Sequence, residues 1–262
     1  MGSRMTSLRR TLPPDDQLGL FDLAAEVGGP ARGLAVRTID SCPARKDRHD
    51  VFNARLLKGL TVVGPYDIPR IEPCQLVPAK LIAFSEAMSM PYPDPDAWVH
   101  FYEDDHRYMG MWNKPEAQFH RLGSFAGVIS PDFSVYRNIP VAQKIDHIYR
   151  NQLLGARMQA DGASVIANVR LSGRSSIPYA LAGAPRRSTI AIGLHGCTKD
   201  KSNRPYVIEE VAIICEELSP SSIVAYGSAG YGVLDHPRRL GVPVHVYQPD
   251  TFHRSHSRKG AA

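Results

Sequence analysis

Gly127-Val128-Ile129-Ser130-Pro131-Asp132-Phe133-Ser134 runs from an apolar stretch straight into a proline-fixed polar turn, and Ser164-Val165-Ile166-Ala167-Asn168-Val169-Arg170 repeats the change further on. Between them, residues 140–160 carry Ala142, Ile145, Ile148, Leu153 and Ala156, with Ile139 just ahead, at the spacing of one apolar helix face. Strand, helix, strand in that order is a βα unit with a parallel sheet behind it. Polar groups that gather where consecutive parallel strands stop lie where such folds hold their ligands.

The same alternation extends outward in both directions. Apolar runs at 81–85, 99–103, 127–130, 164–170, 189–194, 223–226 and 244–247 read as strands, and 114–122, 140–160, 205–218 and 233–240 as helices. The strands are β-branched and nearly free of charge until their C-terminal ends, as in strands buried on both faces. The expected fold class is therefore α/β, a (β/α) barrel-like core with seven strands in place of a barrel's eight; the alternative is an open doubly wound parallel sheet. The barrel is preferred because polar residues close many successive strands: Glu103, Asp132, Asn168, Arg170, His195, Tyr226 and Ser228. An open sheet concentrates ligands at one switch point instead.

Residues 1–65 are expected to form an arm, a short helix over 16–27 and a polar linker or accessory segment; residues 66–250 form the core and 251–262 a disordered basic tail. With 43% hydrophobic and 22% charged residues the chain has the composition of a globular protein, and no apolar run approaches the roughly 20 residues that span a bilayer. No membrane association and no secretory signal are expected. Cys42, Cys74, Cys197 and Cys215 are scattered without a Cys-x-x-Cys pair, so neither a disulfide scaffold nor a zinc ribbon is expected and the default location is the cytoplasm. The net charge of +5 permits attraction to nucleic acid without demonstrating it.

The candidate chemistry sits at the strand ends. Glu103, Asp104 and Asp105 follow one apolar run and Asp132 the next, so in a parallel sheet these carboxylates come close together, and paired carboxylates divide acid and base roles or hold a hard divalent cation such as Mg, here on Glu103, Asp104 and Asp132. The opposing expectation is that Asp132 caps its own turn and that Asp104 and Asp105 face solvent. Arg150 sits on the central helix beside Tyr149 and Asn151; its planar fork is expected to brace a strand-end carboxylate such as Asp132, or else to clamp an anionic substrate. Asn168 and Arg170, two residues apart, point to the same side of their strand. Tyr136 is placed to cover a bound base or sugar, and His195 to act as a general acid or base. Tyr226 and Ser228 belong to a glycine-rich stretch where backbone approaches a ligand closely, or which makes a tight turn. Neither a P-loop, a dinucleotide fingerprint, a nucleophile elbow nor a histidine metal array is present in the sequence.

Phe101-Tyr102-Glu103-Asp104-Asp105, Trp112 with Pro115, Pro131-Asp132-Phe133-Ser134-Val135-Tyr136, Tyr149-Arg150-Asn151 with Gly155 and Gln159, Val165 to Arg170, and Tyr226-Gly227 together resemble a bacterial, plasmid and phage family catalogued only as a domain of unknown function. The resemblance covers about Tyr66 to Asp250, with Ala167 and Leu171 departing from its pattern. It implies a mobile-element setting and no particular reaction. Strand-end carboxylates beside arginines then suit an enzyme that hydrolyses or transfers at a nucleotide, nucleic-acid or other anionic substrate. The competing expectations are a non-catalytic nucleic-acid-binding or replication-accessory protein, or a host-directed inhibitor acting through a surface.

Overall fold

The computed structural model describes residues 35–40 and 50–249. The expected helix over 16–27 and the expected tail over 251–262 lie outside the described residues. A small antiparallel sheet comes first, with strands β1 (Val36–Thr38), β2 (Thr61–Val63) and β3 (Ile68–Pro69) in that order and a 3-10 turn at Ala54–Leu57. The described part of the accessory segment thus carries structure of its own, and its polar texture hid two short strands.

The remaining chain alternates strand and helix: β4 (Lys80–Ala83), α1 (Phe84–Ser89), β5 (Ala97–His100), α2 (Gly110–Asn113), α3 (Pro115–Leu122), β6 (Gly127–Ile129), α4 (Val141–Ala160), β7 (Val165–Asn168), α5 (Ile177–Ala180), β8 (Thr189–Gly193), α6 (Arg204–Leu218), β9 (Ser222–Tyr226), α7 (Asp235–Arg239) and β10 (Val244–Tyr247). Every strand read from the sequence is present, with ends displaced by a few residues. Pro115 and Pro205 stand in the first turns of α3 and α6, where a missing N–H costs nothing. Glu103 and Arg170 fall just past their strands. All neighbours pair parallel in the order β10-β9-β8-β7-β6-β5-β4.

Ring contacts establish that this sheet curls. Four strand spacings separate β5 from β9, roughly 19 Å if the sheet were flat. Yet the ring of Tyr102, just beyond β5, stacks on that of Tyr226 at the end of β9, with centroids 5.0 Å apart. The sheet is therefore nearly closed into a barrel, with one unsealed seam between β4 and β10. Across that seam the Tyr247 hydroxyl donates to the carbonyl of Pro78, just ahead of β4.

The interior is filled by side chains, as in a packed barrel core: Trp98, Tyr102, Ile129, Ile166, Ala191, Val224 and Tyr226 form one cluster. Residues 72–78 close its N-terminal end, where the Thr189 amide donates to Cys74 O at 2.8 Å and the Cys74 amide to Ser188 Oγ at 2.9 Å. Helix α4 lies close on β6, because a Cβ at Gly155 would stand 2.7 Å from Ser130 Cβ and 2.6 Å from Ile71 Cδ1. A filled lumen and a closed floor leave the C-terminal mouth as the place for a ligand. Among the described residues no helix is long and apolar enough to cross a membrane.

Candidate functional site

The turn after β6 is held from three sides. Tyr108 donates its hydroxyl to Asp132 O at 2.6 Å. The Asn151 amide on α4 pairs with both backbone groups of Phe133, accepting from its N–H at 2.7 Å and donating to its carbonyl at 3.2 Å. Asp105 accepts from Ser134 Oγ at 2.9 Å and from its backbone amide at 3.2 Å. Asp132 is thereby fixed in place before any partner of its own side chain is counted.

Its carboxylate meets Arg170 fork to fork, Nε to Oδ1 at 2.9 Å and Nη2 to Oδ2 at 2.7 Å. Asn168 Nδ2 donates to Oδ1 at 2.8 Å, and Tyr102 donates to Asn168 Oδ1 at 3.0 Å. The result is a four-residue chain across the barrel, with side-chain exposures of 8% at Asp132 and 24% at Arg170. Burial pushes the Asp132 carboxyl above its usual value against the opposing pull of Arg170. Burial also works against charge on Arg170, but the carboxylate beside it outweighs that and holds the guanidinium charged. Burial and then the Asp132 charge lift the Tyr102 phenol well above its ordinary range, which keeps it a donor.

Above this floor opens a cleft of about 1590 Å³. Charges of both signs line it. On the β5 side stand Glu86, Glu103, Asp104 and Asp105 with Arg107 among them; on the side built by the ends of β6, β7 and β8 stand Arg137, Arg170 and Lys199, with Asp132 and the ring of His195. Tyr136 lies at the rim, 62% exposed. Glu210 of α6 also lines the cleft, accepting from the Gly173 amide at 2.9 Å and from Arg137 at 3.3 Å, and burial raises its carboxyl above the usual range. Burial, then the charge of Lys199, lower the His195 imidazole, so the ring is neutral at neutral pH.

Seven of the residues singled out from sequence line this cleft: Glu103, Asp104, Asp132, Tyr136, Arg170, His195 and Tyr226. Asn168 lies buried beneath it as the link between Tyr102 and Asp132. Two others lie elsewhere. Ser228 is exposed and accepts from the Gly230 amide at 3.3 Å, which makes it a turn former. Arg150 does not reach Asp132. It pairs with Asp146 one turn back at 2.7 Å and lies over Trp112 at 4.5 Å, a local partner and a ring being nearer than the barrel mouth. The expected magnesium set also fails to converge. Glu103 turns to the Ser85 amide at 2.9 Å, Asp132 is taken by Arg170, and among the described residues no three His, Cys, Asp or Glu side chains group as metal ligands.

Sequence reading missed Tyr102 and His100, and it placed Asp105 among the carboxylates after β5 without foreseeing its hold on Ser134. The first two share period-two spacing with Trp98, so one face of the 98–102 run enters the barrel. His100 is fully buried, its Nδ1 accepting from the Tyr102 amide at 3.1 Å, which places the ring proton on Nε2. Burial, helped by the nearby His195, lowers its pKa from 6.5 to about 3. The unfolded chain therefore binds a proton below pH 6.5 that the native state refuses until about pH 3, so stability present at neutral pH is lost as pH falls. Urea titrations should show stability falling by about 1.4 kcal/mol per pH unit between pH ~6 and ~4. His100→Asn, which keeps an acceptor near the Nδ1 position, should be less stable at pH 7 but should flatten that slope.

A family described as Domain of unknown function (DUF4417) matches residues 60–236, more than half of the chain, and the chain belongs to that family. The Gene 1 protein of Mycobacterium phage L5 is 28% identical over 181 residues, covering 69% of this chain and 78% of the phage protein. The Gene 1 protein of Mycobacterium phage D29 is 26% identical over 185 residues, covering 70% and 68%. These relatives support the phage setting expected from the motifs. No solved structure matches the chain.

Proposed function

We propose that this DUF4417 chain binds an anionic substrate of the nucleotide or nucleic-acid class in the barrel mouth and there hydrolyses it or transfers a group from it. The observation that carries this reading is the group of three cations, Arg137, Arg170 and Lys199, on the side of the cleft built by the ends of β6, β7 and β8, with the His195 ring among them. Phosphate oxygens suit the planar guanidinium and the lysine of that side. The exposed face of Tyr136 suits a ring carried by the same substrate.

The division of labour follows from what each group already does. Both oxygens of Asp132 are engaged, so Asp132 orients Arg170 and does not attack. Glu103 is committed to Ser85. His195 and Asp104, both exposed at the rim, are the groups free to exchange protons with a bound substrate.

The test is a panel of mononucleotides and short oligonucleotides, scored for binding by calorimetry and for turnover by product analysis. His195→Ala should lower turnover about 100-fold with affinity retained. Failure of every phosphate-bearing ligand to bind would reject the reading. Full occupation of the Asp132 oxygens also favours a second, non-catalytic binding role, which predicts affinity without product.

A further inference from the structure

We infer that the polymer served by this mouth is single-stranded nucleic acid, led in across the α6 side of the rim by two arginine–tyrosine stacks. The inference rests on the nucleotide reading above and extends it from a small ligand to a strand.

Two guanidiniums lie over tyrosine rings beside the cleft. Arg137 Cζ stands 3.7 Å from the centroid of Tyr206, and Arg204 Cζ stands 3.5 Å from that of Tyr231. Other contacts hold both arginines in place: Glu210 meets Arg137 at 3.3 Å, and Thr198 O accepts from Arg204 Nε at 3.0 Å. The rings nevertheless stay open to solvent, 47% exposed at Tyr206 and 59% at Tyr231.

Position gives the stacks a direction. Arg137, Lys199 and Asn203 line the cleft itself, while Arg204 and Tyr206 open helix α6 and Tyr231 follows β9. Cations and planar rings thus continue from inside the mouth to outside it. Alternating rings and cations hold bases by stacking and phosphates by charge, without reading sequence. A duplex cannot use such rings, because its bases are already stacked on one another and present only their edges.

The experiment measures fluorescence anisotropy of labelled oligonucleotides of about twelve residues, near the site sizes of single-strand binders. DNA and RNA strands, the matching duplexes and a mononucleotide are run in parallel. A single strand of either backbone should bind about tenfold or more tighter than the mononucleotide and tighter than its duplex, and the stronger arm identifies the backbone. Tyr206→Leu and Tyr231→Leu should each weaken strand binding about fivefold and leave mononucleotide affinity and melting temperature unchanged, while Tyr206→Phe and Tyr231→Phe should restore it. A strand no tighter than the mononucleotide, or leucine variants that bind as wild type, would overturn the inference and leave the nucleotide reading standing. Failure of the mononucleotide and every strand to bind would overturn both.

Discussion

Asp132→Asn should destabilise the protein by about 3–5 kcal/mol, the range for removing one member of a buried ion pair. Asparagine preserves the shape, so packing around the turn is unchanged and the loss isolates charge. Arg170, mostly buried, would keep a full positive charge that it cannot shed by deprotonation. Arg170→Met should cost a similar amount at pH 7 and behave differently in acid. Burial already raises the Asp132 carboxyl, and without Arg170 only the Asn168 hydrogen bond opposes that rise while the charge of Asp105 adds to it. With its native pKa above the unfolded value, Asp132 takes up a proton in the folded state first, so the deficit of Arg170→Met relative to wild type should shrink as pH falls from 7 toward 5. The deficit of Asp132→Asn should not shrink.

The double variant Asp132→Asn with Arg170→Met should be more stable than either single one, since it leaves no unpaired charge. Urea unfolding of the four proteins at two pH values measures each of these differences. A double variant that loses the sum of the single losses would show the pair to be uncoupled. The same protein separates scaffold from function: folded, with Arg170 gone, it should no longer bind a phosphate-bearing ligand.

Most of the fold was legible because parallel strands leave a plain trace, short β-branched runs broken by helix-length segments. Asn168 and Arg170 were legible as co-facing because strand periodicity is strict. The partner of Asp132 was not. Arg150 and Arg170 have the same chemistry, and what separates them is direction: Arg150 finds Asp146 within its own helix, while Arg170 continues the inward face of β7. The partner of Asp105 was hidden for a similar reason. The short 3-10 turn at Asp105–Arg107 carries it to Ser134 and Tyr108 and leaves its neighbour Asp104 in solvent, a difference that lies in backbone direction and not in residue type. The aromatic contact of Tyr102 with Tyr226 depends on closure of the sheet, which no local pattern encodes.

Closure also sets the second large effect. Trp98 and Gly127 are paired in the β5–β6 register, the largest side chain beside none. A Cβ built at Gly127 would stand 2.6 Å from Trp98 Cη2 and Cζ3, far inside contact distance, and the ring has the filled lumen behind it. Gly127→Val should therefore cost about 3 kcal/mol, the upper part of the range for overpacking a core. The cause is steric, because Gly127 has no positive φ to lose. Trp98→Leu should relieve it: that change alone creates a cavity and is destabilising, but in its presence Gly127→Val fills space and should cost less than about 1 kcal/mol. Chemical denaturation followed by far-ultraviolet circular dichroism reads all four proteins without relying on the tryptophan that is removed. If Gly127→Val were equally costly in both backgrounds, the ring would not be the obstacle, and the packed lumen that lifts the cleft to the barrel mouth would need another explanation.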